Sequence, residues 1–185
     1  MRNAYLTSHF PLISIVLFSL SFGIYTERII SAYLQEIGIY SGMTEFFSEQ
    51  GIVFALVFVA WLIYFMIFAA MKLIADTINE LSLLFFSKEE EGVDIRVIRG
   101  GSWIFLVTGI LSLIAVIDIR ALAGIFLLAC FIYFIFFVYR VSASMSPMGL
   151  IGLIMFHMII WISFFIAVGY LLLRLYMSVL SSLPL

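Results

Sequence analysis

His157 is the one side chain in this sequence that could do acid–base or ligand chemistry far from a charged neighbour. It lies ten residues into the uncharged run 148–173. On a helix that is ~15 Å from the start, near mid-bilayer if the run crosses a membrane. An ionisable group at such depth is a candidate to relay protons, bind a headgroup or ligate an ion. The structural alternative is that a ring nitrogen donates to a Ser, Thr or backbone carbonyl of a neighbouring helix. Side chains on its own helix offer nothing, because Leu153, Ile154, Ile160 and Trp161 occupy the i±3 and i±4 positions. A proton path needs several polar groups in series, and no carboxylate stands at comparable depth, so the structural role is favoured.

A second constellation lies where apolar runs end. Glu27 and Arg28 close the first run, Asp118 and Arg120 separate the third from the fourth, and Arg174 follows the fifth. Together they predict one interfacial layer, either an ion-pair network or a small anion site, with three Arg facing two acids. Snorkelling and paired anchoring at the interface is the plainer expectation.

Other chemistry lacks its signature. His9 and His157 are the only histidines and are too far apart for a zinc HExxH. Gly100-Gly101-Ser102-Trp103-Ile104 fails the last position of a GxSxG elbow. No Gly-rich loop cradles a phosphate, and Cys130 sits alone in an apolar run as a small hydrophobe. The expectation is therefore no catalytic residues, no cofactor and no metal. An intramembrane enzyme would need Glu27, Asp118 or His157 to converge on one cavity.

The elements that position these groups follow from composition. Of 185 residues 65% are hydrophobic and 11% charged, and mean hydropathy is +1.27. An ordinary soluble domain carries roughly 25% charged residues, so this chain is an integral membrane protein. The formal net charge of −2 and the absence of a basic run exclude nucleic acid as a partner.

Reading between charges predicts an all-α polytopic bundle forming one membrane domain, 1–185. Its five transmembrane helices fall at about 10–28, 51–71, 100–117, 121–139 and 148–173. Pro11 falls in a first turn, Ser146-Pro147 reads as an N-cap and first helical position, and Asp118 can cap the fourth helix. The second helix should continue as an amphipathic cytoplasmic segment, 72–86. There Lys72, Asp76, Asn79 and Glu80 oppose a stripe of Ile74, Ile78, Leu81 and Phe85. The hydrophilic cytoplasmic loop is 87–99, with Glu89, Glu90 and Glu91 as a solvated run. One continuous helix over 100–139 is the alternative at the Asp118-Ile119-Arg120 connection. It would be ~60 Å long, twice the hydrocarbon thickness, which favours two spans.

Lys and Arg set the orientation. Arg2, Lys72, Lys88, Arg96, Arg99 and Arg140 fall on one side, and Arg28, Arg120 and Arg174 on the other. The richer side should be cytoplasmic, giving a cytoplasmic N-terminus and an extracellular C-terminus at the plasma membrane. Arg2 and the stretch 12–21 imitate a signal peptide, but the apolar helix runs on through Tyr25, which argues against cleavage.

Small residues at four-residue spacing, Ser19/Gly23, Thr108/Ser112 and Ser163/Ala167, predict close helix approach, and Gly149 and Gly152 thin the start of the fifth span. Trp61, Trp103, Trp161 and 20 Phe suit lipid-facing bulk and interface anchoring.

The stretch Asn3-Ala4-Tyr5-Leu6-Thr7-Ser8-His9-Phe10-Pro11-Leu12-Ile13-Ser14, with Tyr25-Thr26-Glu27 after it, resembles the YufK-like family of small Gram-positive bacterial membrane proteins, as does the total length. The resemblance implies a bacterial plasma membrane. That family is itself uncharacterised, so no site residues carry over.

Two functions fit. The favoured one is an accessory or scaffold protein acting through helix–helix contacts with membrane lipids around it and a second copy or another membrane protein as partner. The other is a small transporter or channel for protons, ions or a lipophilic solute, with His157 at mid-membrane.

Overall fold

The computed structural model describes residues 9–87 and 100–182. Its named elements are all helical. They are α1 (Phe10–Glu36), α2 (Ile39–Phe46), α3 (Glu49–Phe86), α4 (Ser102–Ile114), α5 (Ile119–Val141), a 3-10 turn (Ser142–Ser144) and α6 (Pro147–Ser182). The protein is a polytopic helical membrane bundle.

The helix count departs from five equal spans. α1, α3, α5 and α6 are long and apolar enough to cross a membrane, whereas α4 is a shorter apolar helix. Its 13 residues cover ~20 Å against about 30 Å of hydrocarbon. Gly100 and Gly101 keep the chain in a turn before it, and the backbone leaves the helix again at Ala115. That break also answers the continuous-helix alternative, since α5 restarts at Ile119 with Asp118 Oδ1 accepting from Arg120 N at 2.9 Å. α1 and α6 run past the expected 28 and 173 to Glu36 and Ser182. Charge marks where a helix leaves hydrocarbon; it does not stop backbone hydrogen bonding. Apart from Ser87, the expected loop 87–99 lies outside the described residues, as do Arg2 and the N-terminal part of the family-like stretch.

Local chemistry explains the ends. Gly38, at φ +77°, makes the left-handed step that ends α1 and starts the short α2. Pro11 occupies the first turn of α1, where the missing N–H has no intrahelical partner to lose. Ser146 Oγ accepts from Gly149 N at 3.0 Å and so caps α6, with Pro147 as its first residue. α3 has no proline or glycine after Gly51, which lets it run 38 residues, braced on its surface by the i,i+4 pair Lys72–Asp76.

The chain divides into two compact units. One comprises 1–76 and 94–140, the other 77–93 and 141–185. In the first, α1 and α4 run parallel: the Phe10 and Trp103 rings lie 4.4 Å apart near their starts, and Ser21 meets Ser112 further along. α3 and α5 run antiparallel to them. Phe18 packs on Phe68 and Phe126, Phe22 on Tyr64 and Phe68, and Phe105 on Tyr133. Phe18 is 2% exposed and is the centre of this aromatic core. Gly23 permits a close approach of α1 to the backbone of α3, because a Cβ there would stand 3.0 Å from the Trp61 backbone nitrogen.

In the second unit the end of α3 lies antiparallel to the start of α6. Phe86 sits on Gly149 and Gly152, Phe85 and Phe86 pack against Phe156, and Ser87 forms an isolated antiparallel bridge with Met145.

The helical extension 72–86 exists, but its faces differ from the expected stripe. Ile78 and Ser82 are buried, whereas Leu81 and Phe85 are exposed together with Leu73 and Leu84. Lipid removes the reason for turning every apolar side chain inward, so packing shape and polar pairing decide the face instead.

Candidate functional site

His157 is 3% exposed and sits on α6 between its own backbone and the end of α3. Its Nδ1 lies 3.0 Å from the Leu153 carbonyl oxygen, and its Nε2 lies 3.1 Å from the side-chain amide of Asn79. The first contact supplies what the sequence did not: the i−4 carbonyl of the same helix serves as acceptor where the i−4 side chain cannot. The second comes from a residue on the polar side of the amphipathic extension. Phe156 stands edge-on to the ring at 6.1 Å, and Ile78 and Ser82, on the same stretch of α3 as Asn79, are buried.

The hydrogen-bond chemistry of this pair is constrained. A ring that donates Nδ1–H to the Leu153 carbonyl and is neutral can only accept at Nε2. Asn79 Oδ1 faces Nε2 and accepts from an Nε2–H. Against a neutral ring whose proton is on Nδ1, the amide turns end for end so that its NH2 donates to Nε2. The two ends of an amide have nearly the same shape, so the protonation state of His157 and the orientation of Asn79 are one variable.

α6 extends 36 residues, ~54 Å, and His157 stands ~15 Å from its start. Asn79 lies eight residues, ~12 Å, beyond Met71, where the charge-free stretch of α3 ends.

The interfacial group is distributed differently. Glu27 is 7% exposed, and its Oε1 accepts from Ser31 Oγ at 2.7 Å, one turn along α1. Arg28, Asp118 and Arg120 are exposed, and the Asp118 carboxylate is engaged in capping α5. Within the first unit these four form no ion pair among themselves; Lys72–Asp76 is the salt bridge found among the described residues. Arg174, exposed, belongs to the second unit. An open depression of about 450 Å³ in the first unit is lined by Tyr40, Glu49, Gln50, Val53, Phe54 and Val57, none of them selected by sequence.

Two further polar contacts tie helices together. Ser21 Oγ and Ser112 Oγ are 2.8 Å apart between α1 and α4, and Thr26 Oγ1 and Tyr64 Oη are 3.0 Å apart between α1 and α3. Of the small-residue pairs, Ser19/Gly23 and Thr108/Ser112 are buried at these seams, while Ser163 and Ala167 are exposed. Cys130 is half-buried in α5. Among the described residues no cluster of three His, Cys, Asp or Glu could hold a metal ion.

Comparison with known proteins agrees with the membrane character. Residues 27–184 match a family of unknown function, DUF5366. The chain is 42% identical over 184 residues to the uncharacterized membrane protein YufK of Bacillus subtilis (strain 168), covering 100% of both chains. No solved structure matches. The resemblance carried by the N-terminal residues thus holds along the whole length, and the chain belongs to the DUF5366 family.

Proposed function

We propose that this protein is an accessory or scaffold component of the plasma membrane that acts through helix–helix contacts. The observation that carries this is the state of His157. The most buried titratable side chain of α6 has one ring nitrogen at its own helix backbone and the other at Asn79, so it fastens α6 to α3. Hydroxyls behave likewise at the α1–α4 seam, where the pair is buried, and at the α1–α3 seam, where it is half-buried. Cross-linking and native mass spectrometry in lipid test the reading. A higher-order species or a stoichiometric membrane partner is expected, and a strictly monomeric chain with no co-purifying protein overturns it.

The same proposal includes an orientation, with the N-terminus cytoplasmic and the C-terminus extracellular. It is supported by the Lys/Arg asymmetry and by alternating helix directions, α1 and α4 against α3 and α5 in one unit and α6 against the end of α3 in the other.

Glu27 favours a second reading, a small transporter or channel for protons, ions or a lipophilic solute. A carboxylate 7% exposed, held by a serine hydroxyl, is costly to keep unless it serves a passing cation or proton. Proteoliposome flux is the discriminating measurement. Flux lost in both Glu27→Gln and His157→Ala supports transport, and flux unchanged in His157→Ala removes His157 from any pathway.

A further inference from the structure

The C-terminal half of α6 is nearly bare. Every residue from 170 to 182 is exposed, including Leu171, Leu172, Leu173, Leu175, Tyr176, Met177, Val179 and Leu180. Arg174 stands in the middle of this stretch. Glu80 is the one described carboxylate in the same unit, and it lies on the end of α3 that packs at the other end of α6. Arg174 therefore pairs with no acid of its unit among the described residues.

The helical repeat places Arg174 on a definite face. Gly149, Gly152, Phe156, Ser163, Ala167, Arg174 and Ser178 follow one another at spacings of three, four or seven residues, so they share one side of α6. The first three of these meet Phe86 of α3. The rest continue the same face with nothing on it, all of them exposed. An interface that begins inside the unit is left open beyond it.

A bilayer alone does not meet the needs of this segment. At ~54 Å, α6 exceeds the hydrocarbon thickness of about 30 Å and even the full bilayer of about 40–45 Å; a tilt of about 20° shortens it by only a few ångströms. If Pro147 lies at one membrane surface, Arg174 reaches the opposite headgroups and Leu175 to Leu180 stand in water. If the helix is shifted to cover those leucines, the guanidinium lies in hydrocarbon. A lipid phosphate pairs with Arg174 in the first placement but leaves the apolar end bare. A two-fold parallel pairing of α6 with itself sets Arg174 against Arg174, a like-charge contact.

We infer that this face of α6 docks a membrane-spanning helix of a different protein, one that offers a carboxylate at the level of Arg174 and apolar side chains beyond it. The inference rests on the contact-mediating role proposed above and specifies its partner's chemistry. Arg174 supplies the charge-assisted hydrogen bonds, Ser163 and Ala167 allow close approach, and Leu171 and Met177, which flank Arg174 one turn to either side, take apolar cover.

The test uses the full chain in liposomes, with donor dye on Ser182→Cys in a Cys130→Ser background. The probes are acceptor-labelled Leu/Ala peptides of about 22 residues, carrying one Glu, Gln or Lys at the depth of Arg174. The Glu peptide is expected to associate about tenfold more tightly than the Gln peptide, and the Lys peptide least. Arg174→Lys keeps this order, and Arg174→Glu reverses it in favour of Lys. Because the residue is exposed, circular dichroism should be unchanged in all variants. Equal transfer to all three peptides, or an order that survives Arg174→Glu, overturns the inference and leaves lipid phosphate as the counter-ion. Strong chain-to-chain transfer that ignores Arg174 assigns the face to a second copy, overturning the heterologous partner while sparing the scaffold reading. That reading fails separately, by a monomer without partners in native mass spectrometry.

Discussion

The Nε2 atom of His157 lies 3.1 Å from the side-chain amide of Asn79, and this contact fastens α6 to the last turns of α3. Removing either member leaves the other buried in an apolar seam, so His157→Leu and Asn79→Leu should each destabilise by about 1–3 kcal/mol. The double variant should cost less than the sum, by a coupling of about 0.6–1.7 kcal/mol. Detergent-unfolding midpoints of the four proteins measure this. Strict additivity would mean that the two groups do not interact in the folded protein.

Ser21 and Ser112 illustrate a weaker kind of tie. Each hydroxyl is also within reach of a carbonyl on its own helix, Leu17 O at 3.0 Å for Ser21 and Gly109 O at 2.7 Å for Ser112. A hydroxyl has one proton, so only one of the pair can donate across the seam while the other donates locally. Ser21→Ala or Ser112→Ala should therefore cost only about 0.6 kcal/mol. Ser112→Leu is a different perturbation, because Ser112 is fully buried beside α1. It should overpack the seam and lower stability by about 1–3 kcal/mol or more. A melting-temperature series in one detergent separates these outcomes.

Membrane class and the helix ends at Pro11, Asp118 and Pro147 were legible in the sequence because each depends on local chemistry or on the absence of charge. What stayed hidden depends on shape. Asn79 reads as one of four polar residues on one side of an amphipathic extension, and nothing local distinguishes it from Glu80, which is exposed. Only the antiparallel packing of α3 on α6 selects it. One signal was available: Gly149 and Gly152 come about two turns and about one turn before His157 and announce a helix close enough to reach the ring. The grouping of Glu27, Arg28, Asp118, Arg120 and Arg174 followed from depth alone. Depth fixes a layer but not the angular position of a side chain, which is why Glu27 is buried and Arg28 beside it is exposed.

Those two glycines allow a sharper test of the seam. A Cβ at Gly152 would meet the Phe86 ring at 2.5 Å, whereas one at Gly149 would meet the Phe86 carbonyl oxygen at 2.9 Å. A ring can be removed and a backbone cannot. Gly152→Ala should destabilise by about 1–3 kcal/mol and be rescued in part by Phe86→Ala. Gly149→Ala should be as costly and show no rescue. Equal rescue in both would place Phe86 differently on α6.

Topology depends on whether the short α4 crosses. Its direction, parallel to α1 and antiparallel to α5, suits a full pass completed by non-helical residues at both ends. A reporter active only outside the cytoplasm, fused after Ser182, should be active, and one fused after Ser87 inactive. Activity at both sites would indicate an even number of passes between them.

Glu27 has a stability signature of its own. With 7% exposure and one hydrogen bond from Ser31 Oγ, its carboxylate is desolvated without a cation within 4 Å among the described residues of its unit. Glu27→Gln preserves shape and retains an oxygen for Ser31 to donate to, so stability should be unchanged or higher in a scaffold. Ser31→Ala removes the donor from a buried acceptor and should cost about 1–3 kcal/mol. The combination Glu27→Gln with Ser31→Ala should recover most of that loss, because an amide is cheaper than a carboxylate to leave unmatched. Thermal melts of the three variants decide the matter, and a marked loss in Glu27→Gln alone would show that the negative charge itself holds something in the fold.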